Sequence, residues 1–425
     1  MTCTTTPAPV GIGPVRVVVW DLDGALPDLD GTARTASGVR YARARVLLRV
    51  AGRPVAQVDV DLPPEGLDAL DLVDLARHAV AGCPDPDPPV ALAELPAVSV
   101  VIPTRDRPEA LAAALATVLA GDHPRVEVIV VDNAPSTDLT ARLVQSHPDP
   151  RVRYVHEPRP GISAARNAGV AAARHDLVAF TDDDVHVDAS WASSLAAVFV
   201  RHPEAGAVTG LVIPAVLDTP AQIRFELAGG FGKGLVARSY TASRTAVDPL
   251  FYPYSAGSFG SGNNMAFRRE VLAGLGGFDE ALGVGTPSRG GEDLDVLLAL
   301  VLAGGVVRYE PAALIRHVHR ADHEGLRRQM VGYGSGLTAM LTKRMLAGPS
   351  AAAGVLRAVP QGVWFLIDPT SRRNSGRQDD YPSDLTRAEL SGMLRGPVWY
   401  LRGRWRARRP PGGERRWPRS PGTGA

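Results

Sequence analysis

The chain has 425 residues, of which 46 are basic, 45 acidic and 45% apolar, with two cysteines, Cys3 and Cys83. That apolar share supports a sizeable core and excludes wholesale disorder. A net charge of +1 gives no case for a nucleic-acid partner, and two cysteines exclude a disulfide framework or a four-cysteine zinc site.

Residues 1–13 read as a loose tail without the basic start and apolar run of a secretory leader. Strand-like runs follow at Val15–Trp20, Tyr41–Val50 and Val55–Val60, the last two flanking an Ala-Gly-Arg-Pro turn that predicts a hairpin. A helical pattern covers Leu67–Ala81. Cys83-Pro-Asp-Pro-Asp-Pro-Pro89 then makes a semi-rigid linker, which sets a boundary near residue 95 and predicts that 1–95 is dispensable for folding of the rest. From Val98 strands and helices alternate: strands at Val98–Ile102, Val126–Val131, Val152–Val155, Leu177–Thr181 and Ala207–Ile213, with helices at Pro108–Leu119, Thr137–Gln145, Ser163–Arg174 and Ala189–Phe199. The alternation predicts an α/β domain with a parallel sheet and ligands at the carboxyl ends of its strands, where Asp132 and Asp182-Asp183-Asp184 fall. No uninterrupted apolar run approaches the ~18–20 residues of a spanning helix. All basic residues except Lys233 and Lys343 are arginine, a bias of GC-rich bacterial genomes.

Three aspartates after a buried strand need a positive partner. Mg²⁺ or Mn²⁺ suits them, because both favour carboxylate oxygen and keep positions open for substrate phosphate; the bland alternative is a solvated turn capping the next helix. The context decides between these. Val98-Ser-Val-Val-Ile-Pro-Thr-Arg-Asp-Arg-Pro108, Val130-Val-Asp-Asn133, Pro160-Gly-Ile-Ser-Ala-Ala-Arg-Asn-Ala-Gly169, Ala179-Phe-Thr-Asp-Asp-Asp184, Gly260-Ser-Gly-Asn-Asn-Met-Ala-Phe267 and Gly290-Gly-Glu-Asp-Leu-Asp295 occur in one order. Together they resemble the inverting glycosyltransferases of family 2, with a GT-A fold, over about residues 98–335.

The resemblance implies the following roles. Pro103, Arg105, Asp132, Arg166, Asn167, Asp182 and Asp183 would face the nucleotide-sugar donor, a UDP-sugar being the first expectation. Asp182 and Asp184 are the ends of a metal-binding Asp-x-Asp motif, with His317 or His319 near the metal. Asp293 would be the catalytic base, with Glu292 beside it raising its pKa or binding acceptor, and Asn263 and Asn264 would meet acceptor or sugar. Each has a plainer reading: Asp132 as a turn residue, Asp293 as a helix-start acid, the histidines as packed residues, and the asparagines as backbone caps. Trp191 reads as core.

The reading at this level is a metal-dependent, inverting transferase of single sugars: a β-rich module and linker (1–95), a GT-A domain (96–340) and a C-terminal extension (341–425). The spanning helices and Gln-x-x-Arg-Trp motif of polymer synthases are not found in the sequence. A nucleotidyltransferase would want a Gly- and Lys-rich loop in place of Thr104-Arg-Asp-Arg107, and an inactive sugar-binding protein would not need the triplet together with Glu292-Asp293. Val17-Val-Val-Trp-Asp-Leu-Asp-Gly24 resembles a haloacid-dehalogenase nucleophile motif, but no α/β domain of the needed size follows it. Arg395–Arg419 holds nine arginines and one acid, interleaved with Trp399, Tyr400, Trp405 and Trp417. That tail suits anionic lipid headgroups, so the expected location is cytoplasmic, at the inner face of a membrane.

Overall fold

The computed structural model describes residues 5–6, 12–83, 88, 90–245, 248, 251–368, 370, 371, 374 and 381–407. Strands β1 (Thr5–Thr6), β2 (Val15–Asp21), β3 (Arg43–Val50) and β4 (Arg53–Asp61) form an N-terminal sheet in the order β1-β4-β3-β2, backed by α1 (Ala69–Val80). The expected hairpin is β3–β4. Its turn residues Ala51 and Gly52 both take positive φ, 47° and 73°, as a two-residue turn matched to strand twist requires. The Asp-Leu-Asp motif braces this hairpin: Asp21 pairs with Arg49 at 2.6 Å and Asp23 accepts from the Ala51 amide at 2.7 Å.

The central sheet contains β5 (Val98–Thr104), β6 (Val126–Asn133), β7 (Val152–Glu157), β8 (Leu177–Phe180), β9 (Val185–Val187), β10 (Ala205–Pro214), β11 (Arg238–Tyr240), β12 (Met265–Arg268) and β13 (Val306–His317). Its order is β11-β13-β10-β12-β8-β5-β6-β7, with β9 paired to β13. Helices α2 (Pro108–Leu119), α3 (Leu139–Gln145), α4 (Ile162–Ala172), α5 (Trp191–Arg201), α6 (Pro220–Leu227), α7 (Arg269–Gly274) and α8 (Glu292–Leu302) complete the domain. Successive residues of the buried strands serve opposite faces. Val100, Ile102, Val128 and Val130 pack with α2 and α5; Val101, Ile129 and Val131 pack with α4 and α8. The sheet is mixed rather than wholly parallel. β7, β6, β5 and β8 run parallel, but β12 is antiparallel to both β8 and β10, and β9 and β11 are antiparallel to β13.

The N-terminal sheet shares a core with the central one. Leu47 packs on Leu211, Ile213 and Leu314, and Val15 packs on Leu217 and Ile223. Arg49 reaches Asp188 at 2.6 Å, Arg53 reaches Glu310 at 3.0 Å, and Arg45 reaches Glu226 at 3.3 Å. The proline linker, whose residues 84–87 and 89 lie outside the described set, therefore does not mark an independent module. Deleting residues 1–95 exposes five buried aliphatic side chains, each worth roughly 1.5–3 kcal/mol. The truncated chain is expected to aggregate or lose its cooperative melt; a 96–425 chain that melts with the parent's midpoint would contradict this packing.

C-terminally, α9 (His323–Met345) and α11 (Ser383–Ala407) run side by side through small residues. A Cβ on Gly392 would lie 2.2 Å from the Val331 carbonyl, and one on Gly334 2.0 Å from that of Glu389. Between them, α10 (Pro349–Ile367) corrects the sequence reading. It is 19 residues long with mean hydropathy 1.3 and is 6% buried, which makes it long and apolar enough to cross a membrane by length and composition. Gly354, Arg357 and Pro360 broke the apolar run in sequence, yet the helix continues through them.

Candidate active site

The carboxyl ends of β5, β6 and β8 lie side by side, because parallel neighbours in register end together: Thr104 lies opposite Asp132, and Val101 opposite Phe180, which leads into the triplet. Asp132 is fully buried. One oxygen accepts the Tyr154 hydroxyl at 3.0 Å, while Oδ1 has no partner within the protein. Burial raises its pKa, against the Tyr154 bond. A buried orphan acceptor at a strand end is what a ligand donor would satisfy. Pro103 sits in β5 opposite Val131. Arg105 is exposed and, among the described residues, pairs with Asp106 at 3.7 Å.

Arg107, not anticipated from sequence, takes the place at the triplet. Its Nη1 lies 2.5 Å from Asp183 and 3.2 Å from Asp184. Asp106 has φ of 53°, a reversal that carries Arg107 inward and leaves Arg105 out. The three aspartates then divide. Asp183 accepts from Thr104 Oγ1 at 2.8 Å and from Arg107, so it braces the end of β5 rather than facing a donor; burial pushes it up to about 6 against those two partners. Burial also opposes ionisation of Asp184, but His317 at 3.5 Å, with Arg107 and Arg320, holds it low. Asp182 is the most open of the three, with 27% of its side chain exposed.

Arg166 joins this cluster to the Glu-Asp motif. Fully buried on α4, it donates to Glu292 at 2.9 Å, to the Gly262 carbonyl at 3.0 Å and to Asp182 at 3.4 Å. A buried guanidinium is tolerated only with such partners. Asp293 opens α8 and accepts from the Gly262 amide at 2.8 Å and the Leu294 amide at 2.8 Å. Position 262 admits no side chain, since a Cβ there would lie 2.9 Å from that of Asp293. Burial first, and then the Asp293 charge, raise the pKa of Glu292. Asp295 is held by Lys343 and Arg344, each at 2.5 Å, which fastens α8 to α9.

The two histidines are not equivalent. His317 faces Asp184, whereas His319 lies behind it: the two Nδ1 atoms are 2.8 Å apart, and His319 Nε2 meets Glu226 at 3.0 Å. Glu226 in turn meets Arg45 of the N-terminal sheet. The expected set of Asp182, Asp184, His317 and His319 is corrected by this arrangement, since among the described residues no three His, Cys, Asp or Glu side chains converge on a metal position. Asp182 and Asp184, with His317 beside Asp184 at 3.5 Å, still fit a hard cation that would draw its remaining ligands from substrate phosphate and water. Glu226→Ala removes the partner that orients His319, and through it His317. Mn²⁺ affinity measured by calorimetry with nucleoside diphosphate present is expected to fall about 10-fold; an unchanged affinity would separate the histidine pair from the cation.

The asparagines serve structure more than expected. Asn167 clamps the Phe278 backbone, accepting from its amide at 2.9 Å and donating to its carbonyl at 2.8 Å. Asn264 is wholly satisfied inside the core: it accepts Trp191 Nε1 at 2.9 Å and donates to the Leu211 and Ala313 carbonyls, filling the bulge between β10 and β13. That removes Asn264 from any sugar contact and confirms Trp191 as core. Asn263 is buried, with Oδ1 lacking a protein partner.

The family model for Glycosyl transferase family 2 matches residues 99–276. A pre-mycofactocin glycosyltransferase of Mycobacterium tuberculosis is 30% identical over 284 residues, covering 63% of this chain and 54% of that protein. The succinoglycan biosynthesis protein ExoM of Rhizobium meliloti is 30% identical over 224 residues, 51% of this chain and 65% of that one. The chain thus spans about half the length of the first of these relatives. Among solved structures, a Pyrobaculum calidifontis mannosyltransferase in complex with GDP-Man and Mn²⁺ is similar at TM-score 0.48 and 20% identity, over 75% of this chain and 91% of that one. The stretch from 99 to 276, which carries the strand-end carboxylates, thus matches the glycosyl transferase family 2 and lies on a mixed α/β sheet; the Glu292-Asp293 helix start follows it.

Proposed function

We propose that this chain transfers a single sugar from a nucleoside-diphosphate sugar, a UDP-sugar in the first instance, to an acceptor hydroxyl with inversion. The observation that carries this reading is the buried Arg166, which holds the triplet and the Glu292-Asp293 pair in one hydrogen-bonded cluster. Donor chemistry and acceptor chemistry then share a cleft. Asp132 Oδ1 accepts a donor hydrogen from the nucleoside. Asp182 and Asp184 would hold a divalent cation, whose charge would offset that growing on a leaving diphosphate. Asp293 takes the acceptor proton. The Gly262 amide fixes the position of its carboxylate, and a placed base contributes roughly 10²–10⁴-fold. Relatives named as glycosyltransferases support this reading.

A panel of nucleotide sugars, each with and without Mn²⁺ or Mg²⁺, tests it by thermal stabilisation. One donor is expected to raise the melting temperature only with metal, by the equivalent of about 2.7 kcal/mol at a hundredfold excess over Kd. Stabilisation by no donor under either metal would sink the reading.

A further inference from the structure

Helix α11 has two unlike faces. One buries Leu385, Ala388, Gly392, Gly396, Tyr400 and Gly403, mostly against α9. The opposite face carries Leu390, Leu394, Val398, Leu401 and Trp405, all exposed, with Leu394 at 82%. Spacings of four, four, three and four residues align them in one stripe about 22 Å long at the helical rise. Exposed Arg395, Arg402 and Arg406 line one flank of that stripe, and after Glu389 the helix contains no acid. Beside it in sequence, α10 exposes Leu356, Val359, Val363, Trp364 and Ile367, with Arg357 its one charge. Exposed apolar stripes of this length are not left bare in water without use.

We propose that α10 and the outer face of α11 form a docking surface for an anionic lipid bilayer. A long apolar stripe edged by arginine, with tryptophans at its margins, matches a helix lying in the headgroup layer, its apolar side sunk roughly 5–10 Å. The arginine edge selects the charge of the partner. A second copy of this chain would bring the same arginine rows together, and like charges facing one another oppose association. An anionic surface attracts every one of them.

The test uses the full chain and vesicles of phosphatidylcholine, alone or with about one-third phosphatidylglycerol. The parent is expected to co-sediment with the anionic vesicles and to release as salt is raised. Leu394→Glu with Val398→Glu is expected to weaken partitioning at least about tenfold with the melting temperature unchanged, since both side chains already stand in solvent. Trp405→Ser is a second variant should that pair disturb folding, with the same loss expected. Arg395→Glu with Arg402→Glu is expected to weaken anionic binding by a similar factor and to leave neutral vesicles unaffected. Parent-like binding by both apolar variants would overturn the proposal in favour of the basic residues after 407 alone. So would a dimer in solution that Leu394→Glu dissociates, with no vesicle binding by the parent.

Discussion

Asp293→Asn is expected to lower sugar transfer at least about 100-fold while donor affinity and melting temperature stay near those of the parent. The substitution keeps shape and a hydrogen-bonding oxygen but takes no proton at neutral pH. In the proposed reading donor binding rests on other residues, Asp132, Asp182 and Asp184. The structural cost is bounded: an amide still accepts from either Gly262 or Leu294, and losing one helix-start charge costs about 0.3–1 kcal/mol. Removing the Asp293 charge also lets Glu292 ionise more readily, since that charge helps hold its pKa up. Turnover, donor affinity and melting temperature measured on one preparation separate the outcomes. Near-normal turnover would move the base to Glu292, because Asp295 is held by Lys343 and Arg344. A collapsed melting temperature with it would make Asp293 a structural acid.

Asp184→Ala is expected to abolish the metal-dependent part of donor binding. Asp184 is buried, lies 3.5 Å from His317 and is kept ionised by its positive neighbours despite burial. A carboxylate so held is ready to ligate a cation. Its loss leaves Arg107 with Asp183 as partner, so no buried charge is stranded there. The matched control is Asp183→Asn. That residue turns to Thr104 and Arg107, so Mn²⁺ should still tighten the donor in this variant. Calorimetry with and without Mn²⁺ on both variants checks the division of roles. Equal metal dependence in Asp184→Ala and the parent would remove Asp184 from the site, and loss in both variants would mean the triplet acts as a unit.

Much of this site could be read from the chain because its parts are local. A buried strand ending in Asp132, another ending in three aspartates, and a helix opening with Glu-Asp need only short-range periodicity and strand ends. What escaped was set by the backbone elsewhere. Arg107 rather than Arg105 meets the triplet because Asp106 turns through positive φ, which sequence does not advertise at an aspartate. His317 and His319 share a face, as period two predicts, yet β13 ends at His317 and Glu226 from α6 draws His319 away. Asn264 looked like a sugar contact in a Gly-rich turn. Its partners lie on β10, β13 and α5, and only a register shift between two strands distant in sequence creates the gap it fills. The attachment of the first sheet was hidden for the same reason, since the proline run marks a link but not what the strands before it cover.

The stereochemistry of donor cleavage tests the account most directly, and it needs no knowledge of the acceptor. With the α-linked donor that stabilises the protein best, Mn²⁺ and water as the acceptor, proton NMR follows the sugar first released, before mutarotation. Base-assisted attack from the Asp293 side, opposite the diphosphate, predicts the β-anomer first and only with metal present. First release of the α-anomer, or equal release after metal is chelated, would contradict it.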